Sequence, residues 1–467
     1  MLQQVVRTRI APSPTGEDLH IGSVYMALFN WVFAKKHRGK FIVRIEDTDR
    51  ERFVPGAQER MLASLTWVGI PHDEGVDVGG ICGPYRQSER LSIYQKHVNT
   101  LINQGDAYYC FCSASRLAEM RQTQIKSGKA PMYDGLCKQI ALVSAKERIQ
   151  TEKYVVRLNV PDSGITNFSD LVHGQIEFQN ALIDDQVLIK SDGFPTYHLA
   201  VVIDDHLMQI SHIIRGEEWI SSTPKHILLY QMFGWDLPQF AHLPLLRNPD
   251  KSKLSKRKNP VWLSWFRKHG FLPEAILNYL GTITWSPSDG RDLFDVKYLV
   301  KNFDLSHIKT TAPIFDLEKL TWLNGEYIRK LTAAQLVKSL AEFTPKEAKA
   351  DLVKQLVPLA RERMKTLNDF GTYVKPFIHF ARPTLTATQT AWVSKFNDVF
   401  ISIDTWETLV LEKIAKKLVN SESGSVREAF MALRLAVSGE PIGLPLFETL
   451  EILGKDEVLK RIKQAIT

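Results

Sequence analysis

The apolar and polar positions of the first fifty residues predict a strand, a helix and a second strand, in that order. Residues 5–11 form a run rich in β-branched side chains. From residue 23 to residue 36, apolar side chains recur at the spacing of one helix face, with Gly39 as a plausible stop. Residues 40–46 form the second predicted strand. This unit predicts a doubly wound α/β sheet, in which ligands bind beyond the carboxyl ends of the strands.

The pattern changes twice further along the chain. Residues 105–180 contain short strands and three of the four cysteines, which indicates an insertion. Strand and helix patterns then alternate again, and beyond about residue 320 the periodicity is almost wholly helical. The expected fold class is α/β, with a Rossmann-like doubly wound domain, an inserted α/β subdomain and an all-helical carboxyl-terminal region.

Composition and charge narrow the class of protein. With 467 residues, 44% of them apolar and 24% charged, the chain has material for several globular cores. A net charge of +7 suits a polyanionic partner such as RNA, although many basic proteins bind none. Four cysteines favour a reducing compartment over a disulfide scaffold. No secretory signal and no apolar run of about 18 residues are visible, so we expect a cytoplasmic protein without a membrane partner.

The loop between the first strand and the helix, residues 12–22, carries candidate chemistry for a nucleoside triphosphate. Gly16 and Gly22 allow the backbone to approach a ligand closely, and the amino terminus of the helix adds positive partial charge. His20 can donate a hydrogen bond to a phosphate oxygen as charge builds there. Taken alone, these residues are more typical of a proline-rich strand end with a surface histidine.

Residues 251–258 form a second loop, in which five of the eight residues are basic. A charge run of this kind is usually a solvated face. Here Ser255 stands between Lys253 and Lys256, as in a mobile clamp that stabilises the charge on a departing pyrophosphate.

Together the two loops resemble the HIGH and KMSKS signatures of class I aminoacyl-tRNA synthetases. The matching segments are His20-Ile21-Gly22-Ser23 and Lys253-Leu254-Ser255-Lys256-Arg257. More specific blocks resemble those of glutamyl-tRNA synthetases, namely RIAPSPTG (9–16), RIEDTDR (44–50), GPYRQSER (83–90), SDGFPTYH (191–198) and VIDDH (202–206). Glutaminyl enzymes typically carry Glu-Pro-Asn-Gly where this chain has Ser13-Pro14-Thr15-Gly16.

This resemblance implies ATP-dependent attachment of L-glutamate to the 3′ end of tRNA(Glu), through a glutamyl-adenylate and with release of AMP and pyrophosphate. Mg²⁺ accompanies the ATP. The implied catalytic residues are His20, Lys253 and Lys256. The implied ATP-binding residues are Thr15, Gly16, His20, Gly22, Glu218, Leu246, Lys253, Ser255, Lys256 and Arg257, with a surface carboxylate as the alternative for Glu218.

A glutamate substrate requires a fixed cation for its side-chain carboxylate and an acceptor for its α-amino group. Arg215, which follows a predicted strand at 209–214, could pair bidentately with the carboxylate, and Glu46 could accept from the amino group. The resemblance implies a glutamate site made of Arg9, Ala11, Ser13, Glu46, Tyr197 and Arg215. Arg9 or Arg215, taken singly, could equally be half of a structural salt bridge.

The cysteines of the insertion suggest a metal site. Cys110, Cys112 and Cys137 are spaced as in zinc-binding members of the resembled family, but Gln139 stands where those members have a histidine. Tyr133 is a conceivable fourth ligand. Three cysteines left over from a lost site are an equally good explanation.

The same resemblance divides the chain into four parts. These are a catalytic domain split between 1–104 and 181–245, an acceptor-binding insertion at 105–180, a stem-contact region with the KMSKS-type loop at 246–325, and a helical anticodon-binding region at 326–467. Arg363 resembles a position linked to anticodon choice, whereas Arg361 and Lys365 are more typical of a solvated helix face. The expected partners are tRNA(Glu), L-glutamate and ATP, and the expected state is a monomer.

Three other functions fit parts of this pattern. A paralogue that glutamylates a modified tRNA base generally lacks the helical end. A catalytically inactive RNA-binding regulator would tend to lose His20 or Lys256, and both are present. The length and basic charge of the chain argue against a small-molecule adenylyltransferase.

Overall fold

The computed structural model describes residues 5–252, 254 and 260–467. The chain forms two compact units, Met1–Trp265 with Leu277–Asp316 and Phe266–Ile276 with Leu317–Thr467. No helix in the described part of the chain has the length and apolar character that a membrane span requires.

The first unit opens with the predicted strand, helix and strand. β1 (Arg7–Ile10) and β2 (Lys40–Val43) pair in a parallel ladder. α1 (Ile21–Lys36) connects them and is buried on nearly every face, as its almost continuous apolar sequence requires. The prediction of this opening unit is confirmed.

The end of α1 differs from the prediction. Arg38 takes the left-handed backbone conformation, with φ of 54°, that a glycine usually supplies after a helix. Gly39 instead lies against the residue that precedes β1, because a Cβ at this position would meet the carbonyl oxygen of Val6 at 2.1 Å. Glycine is therefore required at position 39 because two chain segments approach each other closely there, and not because the helix ends there.

Seven further strands and nine further helices lie in the described residues before residue 317. The strands are β3 (Ala107–Cys110), β4 (Val155–Leu158), β5 (Ile165–Asp170), β6 (Gly174–Gln179), β7 (Val187–Ile189), β8 (His212–Gly216) and β9 (Gln239–Leu243). The helices are α2 (Ala57–Val68), α3 (Leu91–Gln104), α4 (Ala114–Lys126), α5 (Leu142–Arg148), α6 (Tyr197–Leu207), α7 (Thr223–Met232), α8 (Leu263–Lys268), α9 (Pro273–Thr284) and α10 (Val296–Asn302).

These strands form two sheets besides the β1–β2 ladder. β3, β4 and β7 make an antiparallel sheet, whereas the other four are ordered β6-β5-β9-β8, with β9 parallel to both of its neighbours. The backbone N–H of Ser211 donates to the carbonyl oxygen of Arg7 at 3.0 Å, which joins the start of β8 to β1. The predicted Rossmann-like α/β class with a further α/β part is confirmed.

The strand predicted at 209–214 lies slightly later in the structure, as β8. Gln209 has a positive φ of 54° and its N–H donates to His206 at the end of α6, so the chain turns there before the strand begins. This shift places Arg215 inside the strand, where its backbone is fixed by the ladder with β9.

The second unit is helical, as predicted. Its remaining helices are α11 (Leu317–Lys330), α12 (Ala333–Ser339), α13 (Ala350–Arg361), α14 (Asp369–Ile378), α15 (Ala387–Ile401), α16 (Thr408–Ser421), α17 (Val426–Ser438), α18 (Leu446–Leu453) and α19 (Lys455–Ile466). Arg461 is buried on α19, and its Nη1 donates to the carbonyl oxygens of Pro376 and Val437 at 2.7 and 2.8 Å. This side chain links α19 to α14 and α17.

The helical periodicity of residues 352–366 predicts one helix over this range, but the helix of the structure ends earlier. Helix α13 stops at Arg361, and the carboxylate of Asp369 accepts from the backbone N–H groups of Lys365 and Thr366 at 2.8 and 2.9 Å. Because an aspartate side chain competes for backbone donors in this way, the chain turns before α14.

Candidate active site

A cavity of about 400 Å³ lies where β1 and β8 end. Its wall contains most of the residues that the sequence predicts for glutamate and ATP, namely Arg9, Ala11, His20, Gly22, Glu46, Tyr197, Arg215, Glu218 and Leu246. Residues from distant parts of the chain thus meet at the carboxyl ends of parallel strands, where α/β proteins bind ligands.

Arg215 is a buried cation that is hydrogen-bonded to histidine, threonine and tyrosine side chains. Only 5% of its surface is exposed. Its Nε donates to Nε2 of His242 at 3.1 Å, its Nη1 to Nδ1 of His226 at 3.2 Å, and its Nη2 to the hydroxyl of Thr223 at 2.8 Å. The Tyr197 hydroxyl lies 3.4 Å from Nη1. No carboxylate among the described residues forms an ion pair with this guanidinium, and burial lowers the pKa of Arg215.

Arg9 lines the same cavity, but its charge is matched. Its Nε and Nη2 donate to the two carboxylate oxygens of Asp205 at 3.1 and 2.8 Å. Asp205 also accepts from Nη1 of Arg44 at 2.7 Å. Burial alone would raise the pKa of Asp205, but the two arginines hold this pKa below its ordinary value. Arg9 therefore attracts an additional carboxylate less strongly than Arg215 does.

Glu46 is one of two acidic residues in the cavity wall as far as the structure describes it, with Glu218. One of its oxygens accepts from Nη2 of Arg44 at 3.1 Å. Burial raises the pKa of Glu46, and the charges of Arg44 and Arg9 only partly oppose this effect. A cation bound in the cavity would favour the charged form of Glu46, which suits an acceptor for an ammonium group.

A second depression, of about 330 Å³, shares His20 with the cavity. Ser13, Thr15 and Gly16 line this depression and not the larger cavity, so the structure separates Ser13 from the other predicted glutamate residues. Trp262 forms part of its wall, and a Cβ on Gly16 would meet this indole at 2.6 Å. Glycine at 16 therefore allows the close approach of the ring.

His20 is the N-cap residue of α1 and lies between the two hollows. Its Nδ1 accepts a hydrogen bond from the backbone N–H of Gly22 at 3.0 Å. A Cβ on Gly22 would lie only 3.1 Å from this nitrogen, so glycine there leaves room for the ring. The cap holds the imidazole at the positive end of the helix dipole, where an anion is stabilised.

Glu218, Leu246 and Leu254 complete the larger cavity. Glu218 belongs to a 3₁₀ turn at Glu217–Ser222, directly after β8. Leu254 is buried, with 4% of its surface exposed. The other predicted residues of this loop lie outside the described residues, and they are Lys253, Ser255, Lys256 and Arg257.

The cysteines of the predicted metal site lie together. The Sγ atoms of Cys110, Cys112 and Cys137 are within 4.8 Å of one another. The Tyr133 hydroxyl lies 3.5 Å from Sγ of Cys110 and 3.3 Å from Sγ of Cys112. Burial would raise the pKa of Cys110, but hydrogen bonds from Tyr133 and Arg157 bring this pKa below its ordinary value. Three sulfurs and one phenol oxygen at this spacing fit a tetrahedral zinc ion.

Arg363 lies in the second unit, beyond the end of α13 and exposed to solvent. Its Nη1 donates to the carbonyl oxygen of Gly443 at 3.3 Å. Arg361 is paired with its neighbour Glu362 at 3.2 Å. The structure therefore gives the three basic residues of this region different surroundings, and they do not share one helix face.

The residues that hold Arg215 were not predicted. Thr223 and His226 lie on α7, and His242 lies on β9. None of them belongs to a recognisable motif, and the contacts span 8 to 27 residues of chain. A histidine inside an otherwise apolar strand was the one available signal, and it is a weak one.

Comparisons with known proteins agree with this geometry. The family model "tRNA synthetases class I (E and Q), catalytic domain" matches residues 5–322, and the model "Anticodon binding domain" matches residues 332–466. A glutamate–tRNA ligase of Cellvibrio japonicus is 44% identical over 99% of this chain and 93% of its own length. Another, of Acidothermus cellulolyticus, is 44% identical over 98% of this chain and 95% of its own length.

A solved structure is similar over the whole chain. The crystal structure of a glutamate tRNA ligase from Elizabethkingia meningosepticum, in complex with its amino acid, has a TM-score of 0.87 at 32% identity. The match covers 99% of each chain.

Proposed function

The chain belongs to the family of class I tRNA synthetases for glutamate and glutamine, and on this premise we propose that it uses ATP to attach L-glutamate to the 3′ end of tRNA(Glu). An oxygen of the glutamate α-carboxylate attacks the α-phosphorus of ATP, and pyrophosphate leaves with the electrons of the broken P–O bond. A hydroxyl of the terminal tRNA ribose then attacks the carbonyl carbon of the glutamyl-adenylate. AMP leaves, and the hydroxyl proton is released.

The observation that carries the choice of glutamate is the unmatched charge of Arg215. A carboxylate is the ligand that its planar fork accepts best, because two parallel N–H···O bonds form at once. The burial of Arg215 inside the cavity strengthens this attraction, since the local dielectric constant is low. The γ-carboxylate of glutamate supplies the missing negative charge.

The remaining glutamate contacts follow from the same cavity. Glu46 accepts from the α-amino group, whose positive charge compensates its burial. The Tyr197 hydroxyl, near Arg215, adds a hydrogen bond to the substrate, and Ala11 lies alongside in the same wall. Arg9 lines the same cavity, where Asp205 holds its guanidinium, and Ser13 approaches the substrate from the adjoining depression.

The ATP side uses the predicted phosphate and ribose contacts. His20 and the amino terminus of α1 face the phosphates, with Thr15, Gly16 and Gly22 around them. Glu218 and Leu246 contact the nucleoside, and Mg²⁺ accompanies the triphosphate. Lys253, Ser255, Lys256 and Arg257 stabilise the departing pyrophosphate, so positioning and charge, not a covalent nucleophile, produce the rate.

The cysteine cluster holds a structural zinc ion in this proposal. Cys110, Cys112, Cys137 and Tyr133 are its ligands, because their donor atoms already converge and suit the tetrahedral preference of the metal. The site lies in the insertion at residues 105–180, which we assign to the acceptor end of the tRNA.

The rest of the chain handles the tRNA. The matched anticodon domain is the part that a base-modifying paralogue generally lacks. Within it we assign Arg363 to the anticodon, since its exposed guanidinium can hydrogen-bond and stack on an unpaired base. The stem-contact region spans 246–325, and the enzyme acts as a cytoplasmic monomer with tRNA, glutamate and ATP as its partners.

The test of the function is glutamate-dependent exchange between ATP and pyrophosphate, and charging of purified tRNA(Glu) and tRNA(Gln). In Arg215→Ala, the loss of charge-assisted hydrogen bonds should raise the KM for glutamate by roughly 10- to 100-fold. The KM for ATP should change little, because Arg215 does not belong to the proposed nucleotide contacts.

Arg121→Ala is the matched control, since Arg121 is exposed on α4, away from the cavity wall. A chain that charges no tRNA with glutamate would contradict the proposed function. An unchanged KM for glutamate in Arg215→Ala would remove Arg215 from the carboxylate site.

A further inference from the structure

The hydrogen-bond acceptors around Arg215 differ in kind from those around Arg9, which also lines the cavity. Arg9 is held by both oxygens of a carboxylate, that of Asp205. Arg215 is held by imidazole nitrogens of His226 and His242 and by the hydroxyl of Thr223. We propose that His226 and His242 act as neutral positioning residues, which fix the Arg215 fork without cancelling its charge and so give the cavity its selectivity for a carboxylate over an amide. This inference rests on the proposed function.

The hydrogen positions on His242 follow from its contacts. Its Nδ1 lies 2.6 Å from a carboxylate oxygen of Asp170, and its Nε2 lies 3.1 Å from Nε of Arg215. Because Nε of an arginine always carries a hydrogen, Nε2 of His242 has to be the acceptor and Nδ1 the donor. Asp170 also accepts from the backbone N–H groups of Val172 and His173 at 2.9 and 3.0 Å, so the ring is held by an anchored carboxylate.

The hydrogen position on His226 follows from its contacts in the same way, but here Nδ1 and not Nε2 faces Arg215. Its Nδ1 lies 3.2 Å from Nη1 of Arg215 and is therefore the acceptor, so the hydrogen is on Nε2. Nε2 in turn lies 3.1 Å from Nδ1 of His198, which accepts from it. Both rings are buried beside a cation. Burial and the charge of Arg215 lower the pKa of His226 and of His242. The two imidazoles therefore stay neutral next to Arg215.

Neutral acceptors have a consequence for substrate choice. The carboxylate of Asp170 is one ring away from Arg215 and does not touch it, so the guanidinium keeps its full attraction for a bound anion. A glutamine amide would offer one oxygen without a negative charge, and the buried cation would stay uncompensated. A carboxylate placed directly on Arg215 would remove this difference between the two amino acids.

The test uses a matched pair at one position. Asparagine resembles the Nδ1 side of an imidazole in its reach, and aspartate has the same shape with a negative charge. We compare His226→Asn with His226→Asp and measure the KM for glutamate, the KM for ATP, kcat and the inhibition constant of glutamine. His226→Asp should have a KM for glutamate at least about 10-fold above that of His226→Asn, with a smaller effect on kcat.

The same comparison should show that His226→Asp loses the preference for glutamate over glutamine. His226→Asn should largely keep this preference. The KM for ATP should be similar in the two variants. Equal glutamate constants in both variants, or equal changes for glutamate and ATP, would overturn the proposal, because a merely structural role of the ring predicts that pattern.

If thermal unfolding shows that the His226 variants do not fold, a second pair, His242→Gln and His242→Glu, replaces them. The charged and neutral variants are again compared by their KM for glutamate and by their preference for glutamate over glutamine. Glutamine reaches the Nε2 position with a neutral oxygen, and glutamate reaches it with a charge. Failure of the proposed function would appear differently, as absence of glutamate-dependent exchange in the unaltered chain.

Discussion

The buried charges next to the cavity form a balanced cluster, and Arg215 lies beside this cluster without a carboxylate partner among the described residues. Arg44 has no exposed surface, and its guanidinium lies 2.7 Å from Asp205, 3.1 Å from Glu46 and 3.5 Å from Asp204. Asp204 is held in addition by Nε of Arg90 at 2.7 Å. The acids and arginines of this cluster neutralise one another, which leaves Arg215 as the neighbouring cation with charge available for a ligand.

Replacement of Arg44 by methionine should destabilise the fold strongly. The carboxylates of Asp204, Asp205 and Glu46 would each lose a partner, and breaking a buried pair costs about 3–5 kcal/mol. Urea unfolding of the variant should therefore show a clearly lower midpoint. Arg291→Ala is the control, because its exposed pair with Asp289 contributes little and the midpoint should hardly move. Similar midpoints for Arg44→Met and Arg291→Ala would contradict the importance of the cluster.

The cysteine cluster joins the end of a strand to a separate turn of the chain. β3 ends at Cys110, and a 3₁₀ turn at Leu136–Gln139 carries Cys137. The intervening α4 has no buried residue, so this part of the insertion has a small core of its own. A metal ion bound by all three sulfurs would fix the end of β3 to the turn.

Metal analysis of the purified protein should accordingly find about one zinc ion per chain. Cys137→Ser should lose the metal and become more sensitive to proteolysis within the insertion. Cys82→Ser is the matched control, since Cys82 lies apart from the cluster with its Sγ 3.6 Å from Nη2 of Arg7. A metal-free unaltered protein would favour the alternative of leftover cysteines.

At the scale of the whole molecule, buried histidines make stability depend on pH. Burial lowers the pKa of His198 and of His212 to about 4. The unfolded chain takes up protons on these side chains near pH 6.5, whereas the folded chain does not until about pH 4. Their contribution to stability is complete above pH 6.5 and is lost as the pH falls through this range.

The unfolding temperature should therefore drop between pH 6.5 and pH 4.5. For His212 the loss should be about 1–2 kcal/mol at pH 4.5, because the part of the ring that solvent reaches reduces the effect. His212→Gln cannot take up this proton, so its unfolding temperature should fall less steeply over the same range. Thermal scans of both proteins at several pH values check the difference in slope, and parallel curves would exclude a role for His212.

The sequence predicted what depends on neighbours in the chain. The opening strand, helix and strand and the helical end follow from periodicity, and the two signature loops identify nucleotide chemistry. The different states of Arg9 and Arg215 could not be predicted in this way, because their partners Asp205 and His242 come from distant segments. The predicted carboxyl end of α13 was wrong for a local reason, because the Asp369 side chain competes for the backbone N–H groups there.

The cap formed by His20 fixes the tautomer of its ring. Since Nδ1 accepts from Gly22, it has no hydrogen of its own, and the tautomer with the proton on Nε2 is the one that keeps the helix start intact. In this tautomer, Nε2–H is the hydrogen-bond donor of the ring. The contact that starts the first helix therefore also fixes the tautomer of this ring.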